Sequence, residues 1–120
     1  MKVLIIDDSK VMRQIVMRTL RQSGFDSHQF VEAGDGMEAQ SIINAVSPDL
    51  ILSDWNMPEM NGIELLTTLR SQGNAIRFGF VTSETTPAMR QEAKDAGALF
   101  MIAKPFTVES FKEALSSILG

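Results

Sequence analysis

Cysteine is absent from this 120-residue chain, so it has neither a disulfide framework nor a thiolate metal site, and nothing it does depends on redox compartment. Basic charge is scarce. Eleven Lys plus Arg stand against fifteen Asp plus Glu, a net charge of −4, whereas a nucleic-acid binder presents a basic surface. No apolar run approaches the ~18–20 residues that span a bilayer. Met1-Lys2-Val3-Leu4-Ile5-Ile6 is too short for a signal peptide and runs straight into Asp7-Asp8. The expectation is a cytoplasmic, monomeric domain with no nucleic-acid or membrane partner. Low-complexity tracts, repeats and linker-like stretches are missing too, which predicts one domain over residues 1–120. The apolar share of 44% and charged share of 22% are ordinary globular values. A chain of this length buries roughly two-thirds of its unfolded surface in one sizeable core.

Two apolar periods alternate along the chain. Val3 to Ile6 is a short continuous run, the mark of a strand buried on both faces. A helical stripe follows at Val11, Met12, Ile15, Val16 and Leu20, ending near Gly24. Phe30-Val31, Leu50 to Leu52, Phe78 to Val81 and Leu99 to Ala103 read as four more strands. Between them lie stripes at Met37, Ala39, Ile42, Ile43 and Val46, stopped by Pro48, and at Ile63, Leu66 and Leu69, with Gly73 placed to end the helix. Pro87 suits the first turn of a fourth helix. Thr107 suits the cap of a fifth, with the stripe Val108, Phe111, Leu115 and Ile118. Five continuous apolar strands interleaved with five helices predict an α/β, doubly wound parallel sheet with helices on both faces.

Sites in such sheets form at the carboxyl ends of strands, near the point where strand order reverses. Those ends carry Asp7-Asp8-Ser9 after strand one, Asp54 after strand three, Thr82-Ser83-Glu84 after strand four and Lys104-Pro105 after strand five. Strand two ends in Glu32-Ala33-Gly34, a turn-like segment. Charge gathered on strands one, three, four and five places strand two at the edge, in the flavodoxin-like order 2-1-3-4-5. Converging carboxylates need a cation to stay ionised. Hard oxygen ligands with room for water favour Mg²⁺. Asp7, Asp8 and Asp54 with Mg²⁺ and Lys104 sum to neutrality, and a phosphoryl group of about −2 on one carboxylate leaves the pocket near −1. That balance suits a carboxylate nucleophile receiving a phosphoryl group. Any one of these residues alone reads as a helix cap or turn. Their placement on one edge of one sheet does not.

Asp7-Asp8-Ser9, the segment Ser53-Asp54-Trp55-Asn56-Met57-Pro58-Glu59-Met60-Asn61-Gly62, Val81-Thr82-Ser83-Glu84 and Ala103-Lys104-Pro105-Phe106 together resemble the receiver domain of bacterial two-component response regulators. The likeness runs along the whole chain and is strongest to single-domain chemotaxis members. It implies Asp54 as phosphoacceptor from a histidine kinase. Asp8, Asp54 and the Asn56 backbone carbonyl would be direct Mg²⁺ ligands, with Asp7 acting through water. Thr82 and Lys104 would contact the phosphoryl oxygens, and Asn56 and Glu84 would border the path of the hydrolytic water. The implied partners are the kinase, an output protein such as a flagellar motor switch component, and a phosphatase. The output would be a changed face made by helix four, strand five and helix five. Enzymatic activity would be limited to single-turnover self-phosphorylation and slow autodephosphorylation. The family's switch aromatic, three residues before the Lys, is Met101 in this chain, which has no Tyr. Thr82 and Met101 are therefore the expected switch pair, with Met repacking in place of aromatic rotation.

Competing readings are a phosphorelay intermediate, a receiver regulating an enzyme, and a Mg²⁺-dependent phosphohydrolase with an Asp nucleophile. The last resembles haloacid-dehalogenase enzymes, whose D-x-D-x-T segment and cap insertion do not occur here. A flavin module on the same fold needs a phosphate loop where Asp7-Asp8 would repel phosphate. Four smaller expectations complete the reading. Lys104-Pro105 is a cis peptide aiming the Lys head into the pocket. Trp55 is partly exposed at the site. His28, a lone His with no partner in view along the sequence, reads as a satisfied surface or edge residue. Most of the eight Met fall on core stripes, and Arg13, Arg18 and Arg21 form a solvated helix face.

Overall fold

The computed structural model describes residues 1–120. Its strands are β1 (Lys2–Ile6), β2 (Gln29–Ala33), β3 (Leu50–Ser53), β4 (Arg77–Thr82) and β5 (Phe100–Ala103). Its helices are α1 (Lys10–Leu20), α2 (Gly36–Val46), α3 (Gly62–Ser71), α4 (Pro87–Ala96) and α5 (Val108–Leu119). All pairings are parallel and the order is β2-β1-β3-β4-β5, as the distribution of charge on strand ends predicts.

The continuous apolar strands divide by period two between two cores. Leu4, Ile6, Ile51, Phe78 and Phe80 face α2, α3 and α4. Val3, Ile5, Leu50, Leu52 and Val81 face α1 and α5, where Val16, Leu20, Phe111 and Leu115 meet them. Both faces are covered, so between Lys2 and Arg77 at the amino ends and the polar groups at the carboxyl ends the central strands are apolar. No helix is long and apolar enough to cross a membrane.

Short polar side chains start every helix. Ser9 accepts from the Met12 N–H, Asp35 from Glu38, Thr86 from Met89, and Asn61 and Thr107 form capping boxes with Glu64 and Ser110. Pro87 opens α4, and Gly97 ends it in the left-handed region at φ 100°. After α1 the chain tightens through a wider turn at Arg21–Phe25, closed by Gly24 at φ 95°.

Two sequence expectations need correction, those for Trp55 and for Arg13, and two others gain detail. Trp55 is 7% exposed and packs on Phe80, with ring centroids 4.8 Å apart, so its apolar ring is drawn under the site, not into the opening. His28 is a satisfied edge residue, as expected: Nδ1 lies 3.0 Å from the Met1 amine and Nε2 lies 2.9 Å from the Leu119 carbonyl oxygen, because β2 begins beside the sheet end where both converge. Most of the eight methionines lie on core-facing stripes, as expected, although none is fully buried. Met57, Met60, Met89 and Met101 rim one core and Met12 and Met17 the other, a rim position that suits an unbranched, adaptable side chain. Arg13 is largely covered and bonded, as described below, and Arg21 lies over the Phe30 ring at 5.3 Å. Arg18 and Arg21 are exposed, so Arg13 alone of the three departs from a solvated face.

Gly62 positions the site. Its N–H donates to the Trp55 carbonyl oxygen at 2.8 Å, and a Cβ there would strike the Asp54 carbonyl oxygen and come within 2.8 Å of the Phe80 ring. Gly62→Ala is therefore expected to displace the loop after β3 and destabilise the fold by about 1–3 kcal/mol. Urea unfolding checks this, and an unchanged midpoint would refute the close approach.

Candidate functional site

Strand order brings four of the predicted side chains to one place. Asp7 and Asp54 each follow the last residue of adjacent strands, and the Asp54 N–H donates to the Ile6 carbonyl oxygen at 2.9 Å. Lys104 follows β5, with its own N–H on the Thr82 carbonyl oxygen at 2.9 Å. From there Nζ reaches across to Asp7 Oδ2 at 3.0 Å and Asp54 Oδ2 at 3.3 Å. The Lys104-Pro105 peptide is cis, in agreement with expectation.

The remaining carboxylate oxygens are held by backbone. Asp7 Oδ1 accepts from the Ser9 N–H at 2.9 Å and Asp54 Oδ1 from the Trp55 N–H at 2.7 Å. Asp8 is exposed, yet its carboxylate joins those of Asp7 and Asp54 in a set whose oxygens lie within 4.8 Å of one another. Depth falls in the order Asp7, Asp54, Lys104, with side chains 6, 13 and 15% exposed.

These neighbours set the electrostatics. Burial pushes the Asp54 carboxyl above its ordinary value and the charge of Asp7 adds to the push, while Lys104 and the Trp55 N–H oppose it. Burial works against charged Lys104 as well. Its hydrogen bond to Asp7 and the charges of Asp54 and Asp7 outweigh that, and its pKa rises. Without a further cation the pocket holds three acidic groups against one ammonium. Hard oxygen donors at this spacing, open to solvent on the Asp8 side, fit Mg²⁺ with several retained waters.

Thr82 ends β4 fully buried, and its hydroxyl accepts from the Glu84 N–H at 3.4 Å, a long bond. No hydrogen bond joins it to Asp54 or Lys104. Asn56 and Glu84 are exposed at the rim. Met101 lies opposite Phe80 in the β4–β5 register and packs, partly buried, on the core containing Trp55. Sequence reasoning missed Arg13, whose Nη1 donates to the Asp7 carbonyl oxygen at 2.6 Å while Nε pairs with Glu32 at 2.9 Å. Charge at the i+6 position from Asp7 carries no periodic signal, so only the fold reveals it.

A doubly wound sheet with a carboxylate cluster and a bridging Lys at its carboxyl edge defines a receiver, and the comparison with known proteins agrees. The family described as response regulator receiver domain matches residues 3–116, and the chain belongs to it. It is thus a phosphorylation-controlled switch of two-component signalling. Among curated relatives, the probable chemotaxis protein CheY of Rhizobium etli is 37% identical over 121 residues, covering 99% of this chain and 92% of that protein. Chemotaxis protein CheY-3 of Vibrio cholerae is 39% identical over 120 residues, covering 98% and 91%. Among solved structures, Vibrio cholerae chemotaxis protein CheY4 superposes with a TM-score of 0.85 at 37% identity, covering 98% of both chains. The receiver domain of Mycobacterium tuberculosis NarL has a TM-score of 0.85 at 32% identity, covering 97% of this chain and 93% of that one.

Proposed function

We propose that residues 1–120 act as one receiver unit in which Asp54 accepts the phosphoryl group, and that its signal serves chemotaxis. The observation that carries the reading is Lys104 Nζ bridging Asp7 and Asp54 beside exposed Asp8. Asp54 Oδ2 attacks phosphorus, the bond to the donor's leaving group breaks with its electron pair going to that group, and an acyl phosphate remains on Asp54. Oδ1 stays oriented by the Trp55 N–H throughout. Lys104 transfers its contact from the carboxylate to a phosphoryl oxygen, and the Thr82 hydroxyl leaves its long bond to Glu84 for another. Asp7, Asp8, Asp54 and the Asn56 carbonyl would hold Mg²⁺, which when bound supplies positive charge to the transferring group. Asn56 and Glu84, exposed on either side, border the approach of water and tune loss of the phosphoryl group.

The implied donor is a histidine kinase. The output partner is a protein such as a flagellar motor switch component, with a phosphatase as a further partner, all in the cytoplasm. Support for chemotaxis is the 37–39% identity to relatives of that name over nearly the whole chain. The protein transfers once per signal and is not a turnover enzyme.

Mg²⁺ titration tests the site directly. Trp55 is the one tryptophan, and its backbone N–H donates to the Asp54 carboxylate, so its fluorescence is expected to change on Mg²⁺ addition without any phosphodonor. Asp8→Ala should shift the midpoint by about tenfold or more. A response that survives unshifted in that variant places the metal elsewhere.

A further inference from the structure

We propose that Arg13 is a positioning residue for the acidic loop after β1, setting how Asp8 is presented to Mg²⁺. The inference rests on the reading of Asp7 and Asp8 as metal-holding groups.

Asp8 is the one member of the carboxylate set whose side chain is exposed, and its carboxylate takes part in no ion pair or hydrogen bond. Its place is therefore decided by its backbone. The preceding peptide, Asp7 C=O to Asp8 N–H, is gripped from α1, and the peptide before it is tied to β2. Arg13 Nη1 donates to the Asp7 carbonyl oxygen at 2.6 Å, and the Asp7 N–H donates to the Ala33 carbonyl oxygen at 3.2 Å. Arg13 is itself aimed by its second arm, Nε on Glu32 Oε1 at 2.9 Å, and its side chain is 14% exposed. Glu32 is 38% exposed, so the ion pair alone contributes little to stability. Its effect is to aim the fork. A guanidinium makes both bonds at once from a planar, rigid head, which a lysine ammonium does not reproduce. An outer group that orients a ligand commonly changes metal affinity 10–100-fold when lost.

Charge and geometry predict opposite signs here. Arg13 is a cation beside an anionic pocket, so deleting it would tighten Mg²⁺ binding if only long-range charge mattered. Positioning predicts weaker binding. The experiment titrates Mg²⁺ against Trp55 fluorescence in the full chain for wild type, Arg13→Ala, Arg13→Lys and Glu32→Gln, with thermal melts in chelator alongside. The expected result is a midpoint raised about tenfold in both Arg13 variants. Glu32→Gln should raise it less, and saturating Mg²⁺ should restore the initial rate of phosphorylation from acetyl phosphate. Unchanged or tighter Mg²⁺ binding in Arg13→Ala, with only a lower melting temperature, overturns the proposal. Wild-type behaviour in Arg13→Lys overturns it too, since charge would then suffice. A wild-type chain that gives no Mg²⁺ response at all defeats the metal-site reading instead, before Arg13 is in question.

Discussion

Asp54→Asn is expected to abolish phosphorylation from acetyl phosphate, while the unsubstituted chain gains one phosphoryl group in a reaction that requires Mg²⁺. The amide keeps the shape of the side chain and the acceptor for the Trp55 N–H, but it has no anionic oxygen to attack phosphorus. Intact-mass measurement and lability of the adduct to hydroxylamine check the result. A stable adduct on Ser or Thr would refute the acyl phosphate. The same variant is expected to be more stable than wild type in chelator at neutral pH, by about 1 kcal/mol. The sign follows from Asp54, whose carboxyl is raised chiefly by burial. A group raised on folding contributes stability below its unfolded value of 3.8, and that contribution is lost as pH rises through the folded value. At neutral pH wild type carries the cost of the buried charge and Asn does not. Lys104 keeps its bond to Asp7 in the variant, so the pocket is not left with an unpaired cation.

Thr82→Ala is expected to accept phosphate at Asp54 and yet lose most of the phosphorylation-dependent change in hydrogen exchange across α4, β5 and α5. Thr82 is fully buried, and its hydroxyl accepts only a 3.4 Å bond from the Glu84 N–H. A phosphoryl oxygen is the stronger partner. Moving the hydroxyl toward it frees volume near β5, where Met101 lies across from Phe80 and borders grooves of about 420 and 310 Å³ on either side of the strand. The element that yields is α4. It buries Ala93 alone, with Met89 and Ala96 partly covered, whereas α5 buries Phe111, Leu115 and Leu119. Less apolar area removed from water means weaker docking and easier local opening. An exchange change that persists undiminished in Thr82→Ala would show that the signal leaves Asp54 by another route.

The contrast between α4 and α5 was legible in their sequences, with one exception. The small stripe of α4, Ala88, Met89, Ala93 and Ala96, contrasts with Val108, Phe111, Leu115 and Ile118 of α5, but Ala88 is exposed. A methyl group at the first turn adds too little area to settle which way the helix rolls, so pattern reading overreaches there. The same limit explains the methionines. Periodicity reports the face a residue lies on, and a rim position shares that face with the core.

Composition, the alternation of short apolar runs with helical stripes, and the chemistry at strand ends determined by themselves the parallel doubly wound sheet, its order, and the meeting of Asp7, Asp8, Asp54 and Lys104. These follow because burial on both strand faces confines polar groups to strand ends, and the carboxyl ends hold the acidic residues and Lys104. Tertiary structure alone decided the rest. Trp55 turns beneath the site because Phe80 and the close approach of Gly62 leave its ring an apolar slot. His28 ties the first residue to the last helix because β2 starts beside both. Arg13 grips the Asp7 carbonyl because the fold sets it within reach of both the loop after β1 and Glu32 of β2, a placement that no local period encodes. Each is a contact between segments distant in sequence or out of helical phase, and such contacts exist only once the sheet has set the distances.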